Sequence, residues 1–368
     1  MKKKLLIYSF FVVLLSLSVL DIIEPLRVFS ELENRNLSRK VKFTFKSYIN
    51  GSFSEKYDNY VSDQFIGRND WINLKSIAEH ALGKTENNNI LFGRDDFLFE
   101  KVTSIDEARE NLNISAVNIF AENCDAPVSV ILAPNSYIVY KEYLPKHVPI
   151  IDGEREMEKI YSMMTHTNNI SIIDAMNRHK NDELLYYRTD HHWTTDGAYL
   201  AYEEYMKSIG MDIVVLTDYK EENQSYKEEY VPDFLGTYYS KAKPSRYKYD
   251  TIAYYDFGDL SMEINGETYD GIYDLSKADV SDKYALFIYG NNPLSIIEND
   301  KIDGHEKILV IKDSYANSFV PFLSQNFNEV HIMDLRSYHG KVSEYIKENQ
   351  FDQVLILYNF TTFIRDSD

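Results

Sequence analysis

Two short stretches of the sequence carry the residue types that nucleophilic catalysis requires. One is the run TDHHWT at residues 189–194, and the other is the run ILVIKDSYAN at residues 308–317. A nucleophilic serine needs a base that takes its proton, and the base needs a carboxylate that holds its tautomer and stabilises the imidazolium. Ser314, His192 and Asp190 are the residues of these two runs that can fill the three roles.

The position of Ser314 along the chain has chemical meaning. It follows an apolar run typical of a buried strand, and it opens a stretch with a helical pattern. The unpaired N–H groups of a first helical turn and the helix dipole stabilise negative charge, so an oxyanion formed there is favoured. A simpler interpretation stands beside this one, because Ser314 or Asp313 can merely cap the helix.

The histidine pair has two other interpretations. Imidazole and carboxylate both bind divalent ions, so Asp190, His191 and His192 can also begin a metal site. Three residues elsewhere in the sequence are candidates for its further ligands: Asp174, His331 and His339. In the plainest interpretation the histidines form structural hydrogen bonds and Trp193 packs in the core. Because no further histidine-rich cluster is present, we expect neither a metal nor another cofactor.

Apolar runs that alternate with amphipathic stretches predict the elements that position these residues. Runs typical of buried parallel strands occur at 128–133, 170–173, 307–312, 329–333 and 353–358. Helical patterns occur at 54–81, 106–122, 154–165, 196–209, 314–326 and 339–349, and Thr195 or Asp196 is expected to cap the fourth. The alternation predicts an α/β fold with a parallel sheet, whose carboxyl edge gathers ligands in open folds of this kind.

Residues 213–300 differ in character from the rest of the chain. They contain short tyrosine-rich stretches and turns such as Asn265-Gly266, which predict an antiparallel, β-rich insertion. The chain has 30 tyrosines, and such amphipathic rings suit the faces of carbohydrates. Ordinary half-buried tyrosines in strands and interfaces explain the same abundance.

The first 24 residues predict a membrane anchor. Three lysines at 2–4 precede an apolar run at 5–20, a pattern typical of a signal-anchor, with a cleaved signal peptide as the alternative. Because lysines stay on the cytoplasmic side, residues 25–368 are expected to form one extracytoplasmic domain at a bacterial cell membrane or surface. Cys124 is the single cysteine, so no intrachain disulfide can form, and the net charge of -19 argues against nucleic acid as a partner.

Together, the runs TDHHW at 189–193 and KDSYANSF at 312–319 resemble the DHHW protein family. That family is similar to the SGNH-hydrolase-like domains of the alginate O-acetylation proteins. Further pieces of the resemblance follow in order at 33–37, 60–71, 92–95, 134, 140–145, 234–237, 290–291 and 334–336. The resemblance implies an SGNH-hydrolase-like three-layer α/β sandwich.

The resemblance also implies roles for the motif residues. Ser314 is the expected nucleophile, His192 the general base and Asp190 its orienting carboxylate, while His191 receives no role. In the familiar SGNH order the serine comes first and Asp-x-x-His last. Here Asp-x-His precedes the serine and is shorter by one residue, which a triad tolerates because geometry rather than chain order defines it.

For the oxyanion, the resemblance offers less specific candidates. They are the backbone N–H groups of Ser314 and Tyr315, with Arg336 and Asn291 as further residues near the acyl oxygen.

The function that the resemblance implies is that of a cell-surface serine esterase or O-acetyltransferase acting on acetylated polysaccharide or cell-envelope glycan. It further implies a membrane-bound O-acyltransferase as a partner. The alternative is a non-catalytic glycan-binding or assembly protein of such a system. A separation of Ser314 from His192 too long for proton transfer would favour that alternative.

Overall fold

The computed structural model describes residues 2–30, 35–216, 227–302 and 304–367. Residues 33–34 of the family resemblance and residues 217–226 of the expected insertion lie outside the described residues. The chain divides into two compact units, of which one comprises Met1–Asn88 and Ser240–Arg246. The other comprises Asn89–Tyr239 and Tyr247–Asp368, and it contains every candidate site residue.

The strands and helices are numbered along the chain. The strands are β1 (Phe29–Ser30), β2 (Arg35–Asn36), β3 (Glu86–Asn87), β4 (Ile90–Phe92), β5 (Leu98–Glu100), β6 (Val128–Ala133), β7 (Asn168–Asn169), β8 (Lys227–Phe234), β9 (Asp250–Asp256), β10 (Ser261–Ile264), β11 (Glu267–Asp270), β12 (Leu294–Glu298), β13 (Lys307–Lys312), β14 (Glu329–Met333) and β15 (Gln353–Asn359). The α-helices are α1 (Lys2–Ile23), α2 (Phe45–Ile49), α3 (Ser52–Gln64), α4 (Arg68–Ala81), α5 (Glu107–Glu122), α6 (Ser136–Val139), α7 (Gly153–Met163), α8 (Ile173–His179), α9 (Thr195–Ile209), α10 (Thr237–Ala242), α11 (Val320–Leu323), α12 (Val342–Asn349) and α13 (Phe360–Phe363).

The first unit begins with the apolar helix α1. Its window Lys4–Asp21 has a mean hydropathy of 1.9 and is not buried inside the protein. By length and composition this helix can cross a membrane, and a signal sequence would meet the same criteria. The single helix predicted at 54–81 is two helices, α3 and α4, because Gly67 takes a left-handed φ of 60° between them.

An eight-stranded sheet forms the framework of the second unit. Its strand order is β11-β10-β12-β14-β13-β15-β6-β7. The pairs from β14 to β7 are parallel, and the pairs from β11 to β14 are antiparallel. The strand predicted at 170–173 is wrong, since β7 ends at Asn169 and Ile173 already begins α8.

Burial explains why the central strands form where the apolar runs stand. Every residue of β6 is buried, and in β13 all but Lys307 are buried. In β13, Leu309 pairs with His331 of β14 on one side and with Val354 of β15 on the other. A strand flanked on both edges and covered on both faces is a nearly continuous apolar run, as residues 308–311 of β13 are.

The segment 227–302 is built differently. Strands β8 and β9 form an antiparallel pair of their own, whereas β10, β11 and β12 extend the antiparallel side of the main sheet. Asn265 and Gly266 both have positive φ, 52° and 85°, as a tight hairpin turn requires. A small second hydrophobic cluster packs here, comprising Tyr187, Val231, Phe234, Ile252, Tyr284, Leu286 and Phe287.

Candidate active site

Ser314, His192 and Asp190 form a continuous hydrogen-bonded chain. Ser314 Oγ lies 2.8 Å from His192 Nε2, although the two residues are 122 positions apart in sequence. His192 Nδ1 lies 2.5 Å from Asp190 Oδ1. The structure therefore brings together the three side chains that the sequence motifs contain, in the order serine, histidine and aspartate.

Strand β13 delivers Ser314 to the carboxyl edge of the sheet. Directly after the strand, Asp313 accepts hydrogen bonds from Tyr315 N at 2.9 Å and from Asn359 N at 2.9 Å. These bonds tie the turn that carries Ser314 to the end of the neighbouring strand β15. Asp313, not Ser314, is thus the residue that caps the following turn.

Two expectations about this turn need correction. The regular helix predicted at 314–326 is a 3₁₀-helix at Ser314–Ser318 followed by the short α11. The backbone N–H of Tyr315, an expected oxyanion donor, already donates to Asp313. Because this N–H already donates to the Asp313 carboxylate, it is not free to donate to an oxyanion.

A tight loop carries Asp190 and His192. Tyr186 and Trp193 form an isolated antiparallel bridge across it, and His192 N donates to Asp190 Oδ1 at 3.0 Å. Trp193 Nε1 donates to Tyr315 O at 2.9 Å, which ties this loop to the turn that carries Ser314. Helix α9 follows the loop, and Thr194 caps it rather than Thr195 or Asp196, because its side chain accepts from Gly197 N.

Two residues of the segment 227–302 hold Asp190 from the other side. Thr237 donates to Asp190 Oδ2 from its backbone N–H at 2.6 Å and from its hydroxyl at 3.1 Å. Gly236 lies so close that a Cβ there would meet Asp190 atoms at 2.2–2.5 Å. Only glycine fits this position, since real Cβ atoms do not approach heavy atoms so closely.

Asp250 anchors the loop one residue earlier. Its Oδ2 accepts from Thr189 N at 2.9 Å and from Thr189 Oγ1 at 2.7 Å, and its Oδ1 accepts from Arg188 N at 3.0 Å. No motif in the sequence points to Asp250. Gly236 and Thr237 belong to the family resemblance at 234–237, which is the one sequence signal that marks them.

The protonation states suit a general base. Burial and the neighbouring His191 lower the pKa of His192 to about 4, against the opposing effect of Asp190. Burial alone would raise the pKa of Asp190, yet His191 and His192 hold it well below its ordinary value. Near neutral pH the imidazole is therefore neutral and ready to accept a proton, while its carboxylate partner is ionised.

The imidazole of His192 is enclosed between two rings. Tyr284 stacks on one face with ring centroids 3.7 Å apart and an interplanar angle of 10°. His191 lies on the other side with a centroid separation of 3.7 Å and a tilt of 38°. His191 Nδ1 is 2.7 Å from Thr237 Oγ1, so the residue that received no role from sequence contacts the loop that holds Asp190.

A buried lysine lies two residues before Ser314. Lys312 Nζ donates to Asn291 Oδ1 and to Asn317 Oδ1, both at 2.7 Å, and Asp334 Oδ2 is 3.8 Å away. The lysine is fully buried, and burial lowers its pKa to about 8. Arg336 Nε donates to Asp334 Oδ1 at 2.8 Å and Nη2 to Oδ2 at 2.5 Å, so Arg336 faces this carboxylate.

The geometry weighs against the metal interpretation. Within the described residues, Asp190, His191 and His192 do form a group whose donor atoms lie within 4.8 Å of one another. Both ring nitrogens of His192, however, are directed at Asp190 and Ser314. His331, a proposed further ligand, instead contacts Tyr345 Oη through Nδ1 at 2.6 Å and Glu329 through Nε2 at 3.0 Å.

Comparison with protein families identifies the chain. The family model described as DHHW protein matches residues 150–333, half of the chain. The chain belongs to the DHHW family. The matched region contains the run DHHW at 190–193 as well as Ser314, so the predicted DHHW resemblance is confirmed over the residues that carry the site.

Solved structures show that the fold is shared. A DHHW family protein from Eubacterium siraeum superposes with a TM-score of 0.65 and 24% identity, covering 76% of this chain and 94% of that one. Bacillus cereus PatB1 gives a TM-score of 0.60 and 23% identity over 75% of this chain and 97% of that one, and it has also been solved with a sulfonyl adduct. These matches confirm the predicted α/β fold of SGNH type. No curated protein sequence matches the chain significantly.

Proposed function

We propose that this DHHW protein is a serine O-acetyltransferase or esterase that acts on acetylated cell-envelope polysaccharide. The observation that carries the proposal is the continuous chain from Ser314 Oγ through His192 to Asp190, with links of 2.8 Å and 2.5 Å. A link of 2.8 Å permits proton transfer within a hydrogen bond, so the geometry supports catalysis over a purely glycan-binding role.

The proposed reaction has two balanced steps. Ser314 Oγ attacks the carbonyl carbon of an acetyl ester and its proton passes to His192 Nε2. The bond from the carbonyl carbon to the leaving oxygen then breaks, and His192 returns the proton to that oxygen. In the second step a sugar hydroxyl or water attacks the carbonyl carbon of the acetyl-serine and passes its proton to His192 Nε2. The bond between that carbon and Ser314 Oγ then breaks, and His192 gives the proton to Oγ.

The oxyanion formed in each step needs donors, and two candidates remain. One is the backbone N–H of Ser314, and the other is the side-chain amide of Asn291. Because Lys312 Nζ donates to the oxygen of Asn291, the two N–H bonds of that amide must point away from the lysine. We do not include Arg336 among the oxyanion donors, since its guanidinium donates to Asp334.

The sequence resemblance to the alginate O-acetylation proteins supports transfer rather than hydrolysis, and a membrane-bound O-acyltransferase as the supplier of acetyl groups. Helix α1 supports an anchor at residues 1–24, with residues 25–368 as the extracytoplasmic domain. On this proposal the site acts outside the membrane, where the polysaccharide lies.

Labelling by a fluorophosphonate tests the proposal. The full-length protein in detergent is treated alongside Ser314→Ala and His192→Ala, with Ser115→Ala on the exposed surface of α5 as the control. We expect labelling of wild type and Ser115→Ala, and its loss from both site variants, because only an activated serine displaces fluoride from phosphorus. Failure of folded wild type to label would favour the glycan-binding alternative.

A further inference from the structure

We infer that Tyr284 is a positioning residue of this site, whose ring stabilises the protonated form of His192 during catalysis. The inference rests on the proposed function, because it concerns the moment when His192 holds the proton of Ser314. It assigns a chemical role to a residue outside both sequence motifs.

The stacking geometry is the first support. The two ring planes are within 10° of parallel and their centroids are 3.7 Å apart, so the π face of Tyr284 covers the imidazole. Tyr284 is only 4% exposed. Its hydroxyl lies 3.0 Å from Ser318 Oγ, which also accepts from Trp193 Nε1 at 3.1 Å. The ring is therefore held both by packing and at its polar end.

The charge that develops on His192 is the second support. Asp190 at 2.5 Å, Ser314 at 2.8 Å and the rings of His191 and Tyr315 contact this imidazole. The positive charge of Lys312 opposes its protonation. Burial also disfavours the cation. A single carboxylate must therefore offset several unfavourable effects when the proton arrives, unless another group favours the cation.

The face of an aromatic ring is such a group. Its quadrupole attracts a cation within about 6 Å of the centroid, and the attraction grows when the pair is desolvated. The same face gains much less from a neutral imidazole. Because the attraction is stronger after proton transfer than before it, it lowers the barrier rather than merely binding the resting state.

A purely structural role for Tyr284 makes a different prediction. The residue belongs to the small cluster that also contains Ile252 and Phe287, so its loss could act through packing alone. If the role of Tyr284 is structural, a side chain of similar volume without an aromatic ring should replace it. A role in stabilising the imidazolium requires the π face and survives loss of the hydroxyl.

The test measures the second-order rate of fluorophosphonate labelling by the full-length protein in detergent. In that reaction the Oγ–P bond forms, the P–F bond breaks, fluoride leaves, and His192 takes the hydroxyl proton. The variants are Tyr284→Phe, which keeps the face, and Tyr284→Met, which fills similar volume without it. Ile252→Ala, in the same cluster, serves as the packing control.

We expect Tyr284→Phe to react within about threefold of wild type. Tyr284→Met should react about tenfold slower, equivalent to about 1.4 kcal/mol in the barrier. We also measure the labelling rate of each variant as a function of pH. The acidic limb of this profile should move to lower pH in Tyr284→Met, because removal of the aromatic face disfavours the protonated form of His192. Ile252→Ala should keep both the rate and the limb of wild type.

The outcomes separate the two proposals. If wild type reacts and folded Tyr284→Met keeps both its rate and its acidic limb, the role of Tyr284 is refuted while the proposed function stands. Equal slowing of Tyr284→Met and Ile252→Ala would also refute it, in favour of packing. If wild type does not react at all, the proposed function fails and this inference fails with it. Tyr284→Leu replaces the methionine variant if the latter does not fold.

Discussion

The central parallel strands and the segment 227–302 contribute to the site in different ways. Strand β13, a regular element that is buried from Ile308 onward, ends at Lys312 and leads directly into the turn that carries Ser314. The segment 227–302 supplies Thr237 against Asp190 and Tyr284 against His192, from turns and short helices. The position of Ser314 thus depends on a regular strand, whereas the contacts that hold Asp190 and His192 come from irregular segments.

The difference teaches where substitutions should affect stability and where they should affect chemistry. The residues of β13 pair with strands on both sides and belong to the large core, so changes in their apolar side chains act on folding. The contacts of the segment 227–302 with Asp190 and His192 are few and local. Changes at these contacts should reduce activity more than stability.

The largest effect should come from Gly236→Ala in this segment. The added Cβ would meet Asp190 at 2.2–2.5 Å, so the carboxylate must move away from His192. We expect labelling to slow by about 10³-fold, because the carboxylate of such a triad contributes up to about 10⁴. The measurement is the fluorophosphonate labelling rate of the folded full-length protein.

Gly266→Ala is the matched control for this prediction. Gly266 lies in a hairpin turn of the same segment with a φ of 85°, and a Cβ added there would have no neighbouring atom within 4 Å. Its replacement should cost about 1 kcal/mol of stability and leave the labelling rate unchanged. A wild-type rate in folded Gly236→Ala would show that Asp190 does not need its observed position.

A smaller decrease in labelling rate should come from Lys312→Met, at the end of strand β13. The lysine holds the side-chain oxygens of Asn291 and Asn317, and methionine can fill its volume without donating. Loss of one aligned oxyanion donor costs about 10²-fold, so we expect labelling to slow by about that factor. Lys307→Met, at the partly exposed start of the same strand, should leave the rate unchanged. Unaltered labelling in Lys312→Met would remove Asn291 from the oxyanion proposal.

The smallest effect should appear in the pH dependence of stability. The pKa of His192 is about 4 in the fold and 6.5 in its ordinary state, so between these values the unfolded chain binds more protons. The contribution of His192 to stability therefore falls as pH falls, by about 1.5 kcal/mol between about pH 6.5 and about pH 5. Asp196 opposes this trend, because burial raises its pKa to about 6.

Chemical unfolding of wild type and His192→Gln across this pH range isolates the contribution of His192. The difference between the two proteins should shrink as the pH falls, since the glutamine does not titrate. A constant difference would mean that His192 is protonated to the same extent in the folded and unfolded chains.

Local pattern was sufficient for the buried elements. The predicted bounds of β6, β13 and β14 agree with the structure, because a run of apolar residues bounded by turn residues leaves little choice of element. The pattern failed after Ser314 and at 170–173. After Ser314 the run is apolar, but Asp313 and the contacts of Trp193 shape a 3₁₀-turn there.

The sequence by itself determined the family, the class of fold and the identity of Ser314, His192 and Asp190 as a possible relay, because these depend on residue types and on short-range periodicity. Only the tertiary structure decided which groups hold them: Gly236, Thr237, Asp250, Tyr284 and Lys312. It also decided that the backbone N–H of Tyr315 donates a hydrogen bond to Asp313. Contacts between residues tens of positions apart leave no periodic signal in one sequence, since they form only when the sheet brings the loops together.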